Sequence, residues 1–147
     1  MNKLSYIVKS KTPYSVQSPM VYDLCSKVLW TTLSKQQRTA LQLGSRDAFP
    51  ALCYRVANHL KPRSMVLMQE DQQAVRVIGL GCASTRIEQI SRISEGTIVM
   101  VNHPHDNEEA WNQLKAMASR TAVVDIFSAG IVFIGWGLSR EVFLLRR

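Results

Sequence analysis

The sequence predicts an α/β fold: a reduced three-layer sheet, parallel in its front strands and closed by antiparallel strands at its C-terminal end. Three observations predict it. Thr97-Ile98-Val99-Met100-Val101, set between Gly96 and Asn102-His103-Pro104, is a short apolar and β-branched run of the kind buried on both faces in mid-sheet. Met65-Val66-Leu67-Met68 is a second such run. Thr121 to Phe127, Ile131 to Ile134 and Glu141 to Leu145 follow one another across turns too short for a crossover, which predicts antiparallel neighbours.

The helices fall between these runs. Residues 1–17 are polar and basic, with Thr12-Pro13-Tyr14 as a break. Ser18-Pro19 then opens a helix, because serine is a favoured N-cap and proline at the first helical position gives up no hydrogen bond. Val21, Leu24, Cys25, Val28 and Leu29 form one apolar stripe along it. A second helix is expected from about Asp47, with Leu52, Cys53, Val56 and Leu60 on one face, until Lys61-Pro62 stops it. The stretch Gln69 to Ser84 reads two ways: Ala74, Val75, Ile78 and Cys82 suit a helix, while Val75 to Ile78 followed by Gly79 and Gly81 suits a strand and turn. The balance leans to helix. Thr85-Arg86-Ile87-Glu88 has the form of a capping box for a short helix leading into the central strand. Glu108 and Glu109 lie where the dipole of a further helix favours acids, and Trp111, Leu114 and Ala118 would be its buried face.

Composition narrows the class. A chain of 147 residues, 46% hydrophobic and 20% charged, is long enough to bury its own core and is expected to form a single domain over 1–147. No apolar run reaches the ~20 residues of a membrane span, and Met1 to Tyr6 has no apolar core of signal-peptide length, so a cytoplasmic protein is expected. Cys25, Cys53 and Cys82, odd in number and without C-x-x-C spacing, point to buried thiols and not to disulfides or zinc. The net charge of +7 is uneven: residues 1–63, the basic helical part, hold ten Lys and Arg against Asp23 and Asp47, whereas 64–147 hold eight against nine acids. An acidic protein, a nucleic acid or a membrane surface could bind the basic part; equally it could be a solvated face.

Several stretches resemble a known family. Ser15-Val16-Gln17-Ser18-Pro19-Met20-Val21-Tyr22-Asp23-Leu24, the lead Leu60-Lys61-Pro62-Arg63-Ser64-Met65-Val66-Leu67, Glu108-Glu109-Ala110-Trp111, and Val124 through Phe133 are similar to the opening and closing strings of small bacterial class I S-adenosylmethionine-dependent methyltransferases. The resemblance implies a Rossmann-like sheet ending in an antiparallel pair, and S-adenosylmethionine as cofactor. The middle departs from it. Where the family runs from its first strand into a glycine turn that lets the backbone approach the cofactor, this chain has Met68-Gln69-Glu70-Asp71-Gln72-Gln73. The acidic pair expected after the central strand stands as Asn102-His103. Too few residues separate Met68 and Thr97 for the remaining strands.

The expectation is therefore a degenerate methyltransferase-like protein acting by protein binding or self-association, with a homodimer covering the sheet edge left by the missing strands. An active enzyme with a shortened pocket, or one completed by a second chain, is the alternative, and a basic nucleic-acid-binding module a third. Gln69, Asn102 and His103 are the candidate cofactor-binding residues; no catalytic residue and no metal site is assigned. Asn102-His103-Pro104-His105-Asp106 could offer two imidazoles and a carboxylate to a metal, or His103 as a base, but both histidines could equally be satisfied locally. Gly79-Leu80-Gly81 reads as a displaced cofactor turn or a helix end, and Glu70-Asp71 as paired carboxylates or helix-first-turn acids. Trp136 reads as a partner contact or a plug for the sheet, and Met65, Met68 and Met100 as core filler.

Overall fold

The computed structural model describes residues 2–10, 18–29, 48–68, 74–78, 96–116, 120–138 and 140–145. Helix α1 is Lys3–Lys9 and α2 is Pro19–Leu24, which widens into a π-helical turn over Cys25–Leu29. Helix α3, Ala48–Leu60, leads to strand β1, Ser64–Met68. Then come β2, Ala74–Ile78, and β3, Thr97–Asn102. A 3-10 turn at Pro104–Asp106 and helix α4, Glu108–Ala116, precede β4, Arg120–Asp125, β5, Ala129–Ile134, and β6, Val142–Leu144.

These strands make one mixed six-stranded sheet in the order β2-β1-β3-β5-β4-β6. Alternation along each strand sends side chains to opposite faces, and both faces are apolar. Met65, Ile98, Met100, Ala122, Val124, Ile131 and Phe133 join the stripe of α2 and the Leu52, Cys53 and Val56 face of α3. Val66, Met68, Val99, Val101, Val123, Val132 and Ile134 meet Trp111 and Leu114 of α4. The three methionines of the strands are core, as expected. Helices thus lie on both sides of the sheet, each fully buried large side chain contributing about 1.5–3 kcal/mol.

Helices α2 and α3 form where their stripes predict. The Ser18 hydroxyl accepts from the Val21 N–H at the start of α2, and Lys61 takes a left-handed φ of 47° where α3 stops. His59 of α3 reaches Asp23 of α2 at 2.8 Å, and Lys27 pairs with the same carboxylate at 2.8 Å. Lys27 first, then His59, hold the Asp23 carboxyl below its ordinary range.

Three expectations are corrected. The lean to helix within 69–84 gives way at Ala74–Ile78, which is a strand antiparallel to β1; three β-branched residues in four positions, Val75, Val77 and Ile78, outweighed a sparse helical stripe. The front is therefore not all parallel: β1 and β3 are parallel neighbours, but β2 runs against β1. The last strand does not pair with β5. Its neighbour is β4, in parallel, because β5 is occupied on one side by β3 and on the other by β4. The basic N-terminal part is helical where it is described, and it begins with α1, capped by the Asn2 side chain accepting from Ser5 N–H at 2.8 Å. The capping box at Thr85 and the Gly79-Leu80-Gly81 and Glu70-Asp71 motifs lie outside the described residues.

Cys25 and Cys53 are buried thiols in the layer of α2 and α3, and burial pushes each up to about 12. Since the thiolate is the reactive form, only about one in ten thousand of such thiols is ionised at pH 8. Neither should react with Ellman's reagent until the protein is unfolded in denaturant, as read by mass mapping of the labelled peptides. Labelling of either at the rate of free cysteine in the folded protein would contradict this packing.

Candidate functional site

Strand β3 ends at Asn102, and the chain turns at once. His103 takes a left-handed conformation, φ 46° and ψ 62°, and its N–H donates to Ser128 O at 3.0 Å, tying the turn to the β4–β5 loop. A non-glycine residue held there carries a conformational cost that the surrounding bonds must offset. The result separates the two histidines. His103 is exposed and His105 is turned inward.

Beside His103 lies a small recess at the carboxyl ends of the parallel strands β1 and β3, the edge at which open α/β sheets bind ligands. Met68, Val101, Trp111 and Leu114 form its apolar wall, and Asn102, His103, Asp106 and Asn107 supply polar groups. Among the described residues its volume is about 20 Å³, room for about one water. Of the predicted cofactor-binding residues, Asn102 and His103 are thus brought together, and Gln69 lies outside the described residues.

His105 is the centre of a second, buried cluster. Its side chain is 5% exposed, and each ring nitrogen faces a carboxylate: Nε2 to Asp125 Oδ2 at 2.8 Å and Nδ1 to Glu108 Oε1 at 3.0 Å. A ring carrying hydrogen on both nitrogens donates to both oxygens. Asp125, fully buried at the end of β4, accepts at every polar atom. Oδ1 takes the Phe127 N–H at 2.8 Å, and Oδ2 takes the Trp111 indole N–H at 3.3 Å besides His105. Its backbone carbonyl takes the Leu145 N–H at 2.8 Å.

Tyr6, the one buried residue of α1, closes the cluster from above. Its hydroxyl lies 2.5 Å from Asp125 O and 2.6 Å from Leu145 O, one hydrogen shared between two carbonyls. Burial first, and the Asp125 charge second, raise the phenol well above its ordinary value, so it remains a donor. The His105 ring stacks on Phe127 at 5.1 Å and meets Tyr6 edge-on at 5.6 Å.

A histidine oriented by a buried carboxylate is the arrangement that activates a nucleophile when the second nitrogen is open to it. Here that second nitrogen is bonded to Glu108. The cluster instead joins α1, the 3-10 turn, α4, β4 and β6, which is a structural role. In the sequence His105 reads as a possible metal imidazole and Trp111 as core, but nothing there names their junction with Asp125 and Tyr6; the signal that could have found it is a lone acid in an apolar strand, which some partner must meet. Trp136, by contrast, resolves to the plug: its indole N–H donates to Thr97 O at 3.1 Å, and its ring meets Phe133 edge-on.

No group of three or more His, Cys, Asp or Glu among the described residues could hold a metal ion. No described helix is long and apolar enough to cross a membrane. No family model, curated protein or solved structure matches the chain.

Proposed function

We propose that the chain is a non-catalytic, methyltransferase-like protein that acts by binding, with self-association as its principal mode. The observation that carries this reading is the division of polar groups around the central strand. The histidine and aspartate best suited to chemistry, His105 and Asp125, spend every polar side-chain atom on internal bonds. At the recess, Asn102 and His103 stand in the place of the acidic pair that the resemblance implies, with Asp106 and Asn107 beside them. The Rossmann-like relationship itself draws support from the parallel β1–β3 pair and the antiparallel β4–β5 pair behind it.

Self-association draws support from β2. Among the described residues it has a strand neighbour on one side alone, and such an edge invites pairing with a second copy. The active-enzyme reading retains one observation, the position of the recess at the carboxyl edge of β1 and β3.

Calorimetric titration with S-adenosylmethionine and with S-adenosylhomocysteine separates the two. No heat and no thermal stabilisation are expected; micromolar binding of either would overturn the non-catalytic reading and turn attention to Asn102 and His103. Light scattering on the same sample should give the mass of a dimer, and a monomer at all concentrations would remove self-association.

A further inference from the structure

Helix α1 is turned the opposite way to an ordinary surface helix. Tyr6 points into the body, while Leu4 is 77% exposed, Val8 85% and Ile7 40%. At 100° per residue, Ile7, Leu4 and Val8 occupy one arc of about 100° on the side away from Tyr6. Lys3 flanks that arc on one side and Lys9 on the other, both exposed. Residues 1–22 contain Lys3, Lys9 and Lys11 and no Asp or Glu. The helix therefore presents a convex apolar ridge with cationic shoulders, fixed to the body by the Tyr6 hydroxyl.

We infer that this ridge docks on an anionic lipid surface. Three considerations select that occupant. Apolar side chains flanked by lysines fit a bilayer interface, where the aliphatic tips enter the acyl boundary and the ammonium groups stay among anionic headgroups. A convex ridge suits a soft surface, whereas recognition of a partner helix would require a groove. A second copy of the same helix is disfavoured, since it would bring lysines against lysines with no acid in either segment to offset them.

The test is flotation of the full chain with vesicles of phosphatidylcholine alone and of equal parts phosphatidylcholine and phosphatidylserine. Binding to the mixed vesicles, weak or absent on the neutral ones, is expected, and it should fade in about 1 M salt, where the Debye length is about 3 Å. The double variant Leu4→Ser/Val8→Ser should weaken binding about tenfold or more without changing the melting temperature, because both residues are solvent-facing. Lys3→Glu/Lys9→Glu should weaken it at least as much. Absence of binding to the mixed vesicles at low salt overturns the inference. So does binding that neither double variant reduces, or binding to poly-glutamate in place of vesicles, which would assign the ridge to an acidic protein.

Discussion

Replacing Asp125 by alanine should cost about 3–5 kcal/mol of stability, enough to lower the melting temperature by roughly 10 °C or more. The substitution does not merely delete an ion pair. It leaves the Phe127 N–H, the Trp111 indole N–H and the His105 Nε2 without their common acceptor inside a site that water does not reach, and each stranded polar group carries its own desolvation penalty. Asp125→Asn tests the charge separately. Its amide oxygen can still accept from Phe127, but its NH2 then faces the Trp111 donor, so a loss of about 2 kcal/mol is expected. Urea denaturation with matched m-values reads both. An alanine variant as stable as the parent would mean that the carboxylate is not what joins these elements.

The second large effect is expected at Gly130. A Cβ built there would fall inside contact distance of Trp111 Cη2, 2.8 Å from Cζ3 and 3.0 Å from Cζ2. Trp111 is 1% exposed and held by its bond to Asp125, so the ring cannot step aside without breaking that bond. Gly130→Ala should therefore cost about 3 kcal/mol, the upper part of the range for overpacked cores. Combined with Trp111→Phe, which removes the outer atoms of the indole, the alanine should cost less than it does alone, and the double-mutant cycle measures the coupling directly. Strict additivity of the two changes would show that the methyl and the ring do not meet.

How much of this was legible in the sequence depends on which way each segment's apolar residues face. The stripe Val21, Leu24, Cys25, Val28 and Leu29 and the run Thr97 to Val101 point inward, so their periods announced a buried helix and a buried strand. Helix α1 escaped the same reasoning because its apolar residues face outward, leaving Tyr6 alone on the buried side. A single tyrosine has no period. Strand β2 was ambiguous because five residues, little more than one turn of a helix, are too few to distinguish helix from strand. The partner of β6 depended on which side of β5 was already taken, a fact of the assembled sheet that no local spacing encodes. The candidate site divides in the same way. Asn102 and His103 were legible as the residues following a central strand, whereas the His105 cluster depends on Asp125, 20 positions along the chain, and on Tyr6, 119 positions from it in the other direction.

The bond between Tyr6 and Leu145 spans 139 positions, almost the full length of the chain. A contact of that separation bears nearly the largest loop-closure cost the chain can present, and nothing local repays it in advance. The Tyr6 hydroxyl finds its two carbonyls side by side only once β6 lies against β4. Helix α1 can therefore be locked in place only after β6 has paired with β4. Until then its outward ridge and its inward tyrosine are exposed together, and a helix formed by local contacts is held by the most distant ones.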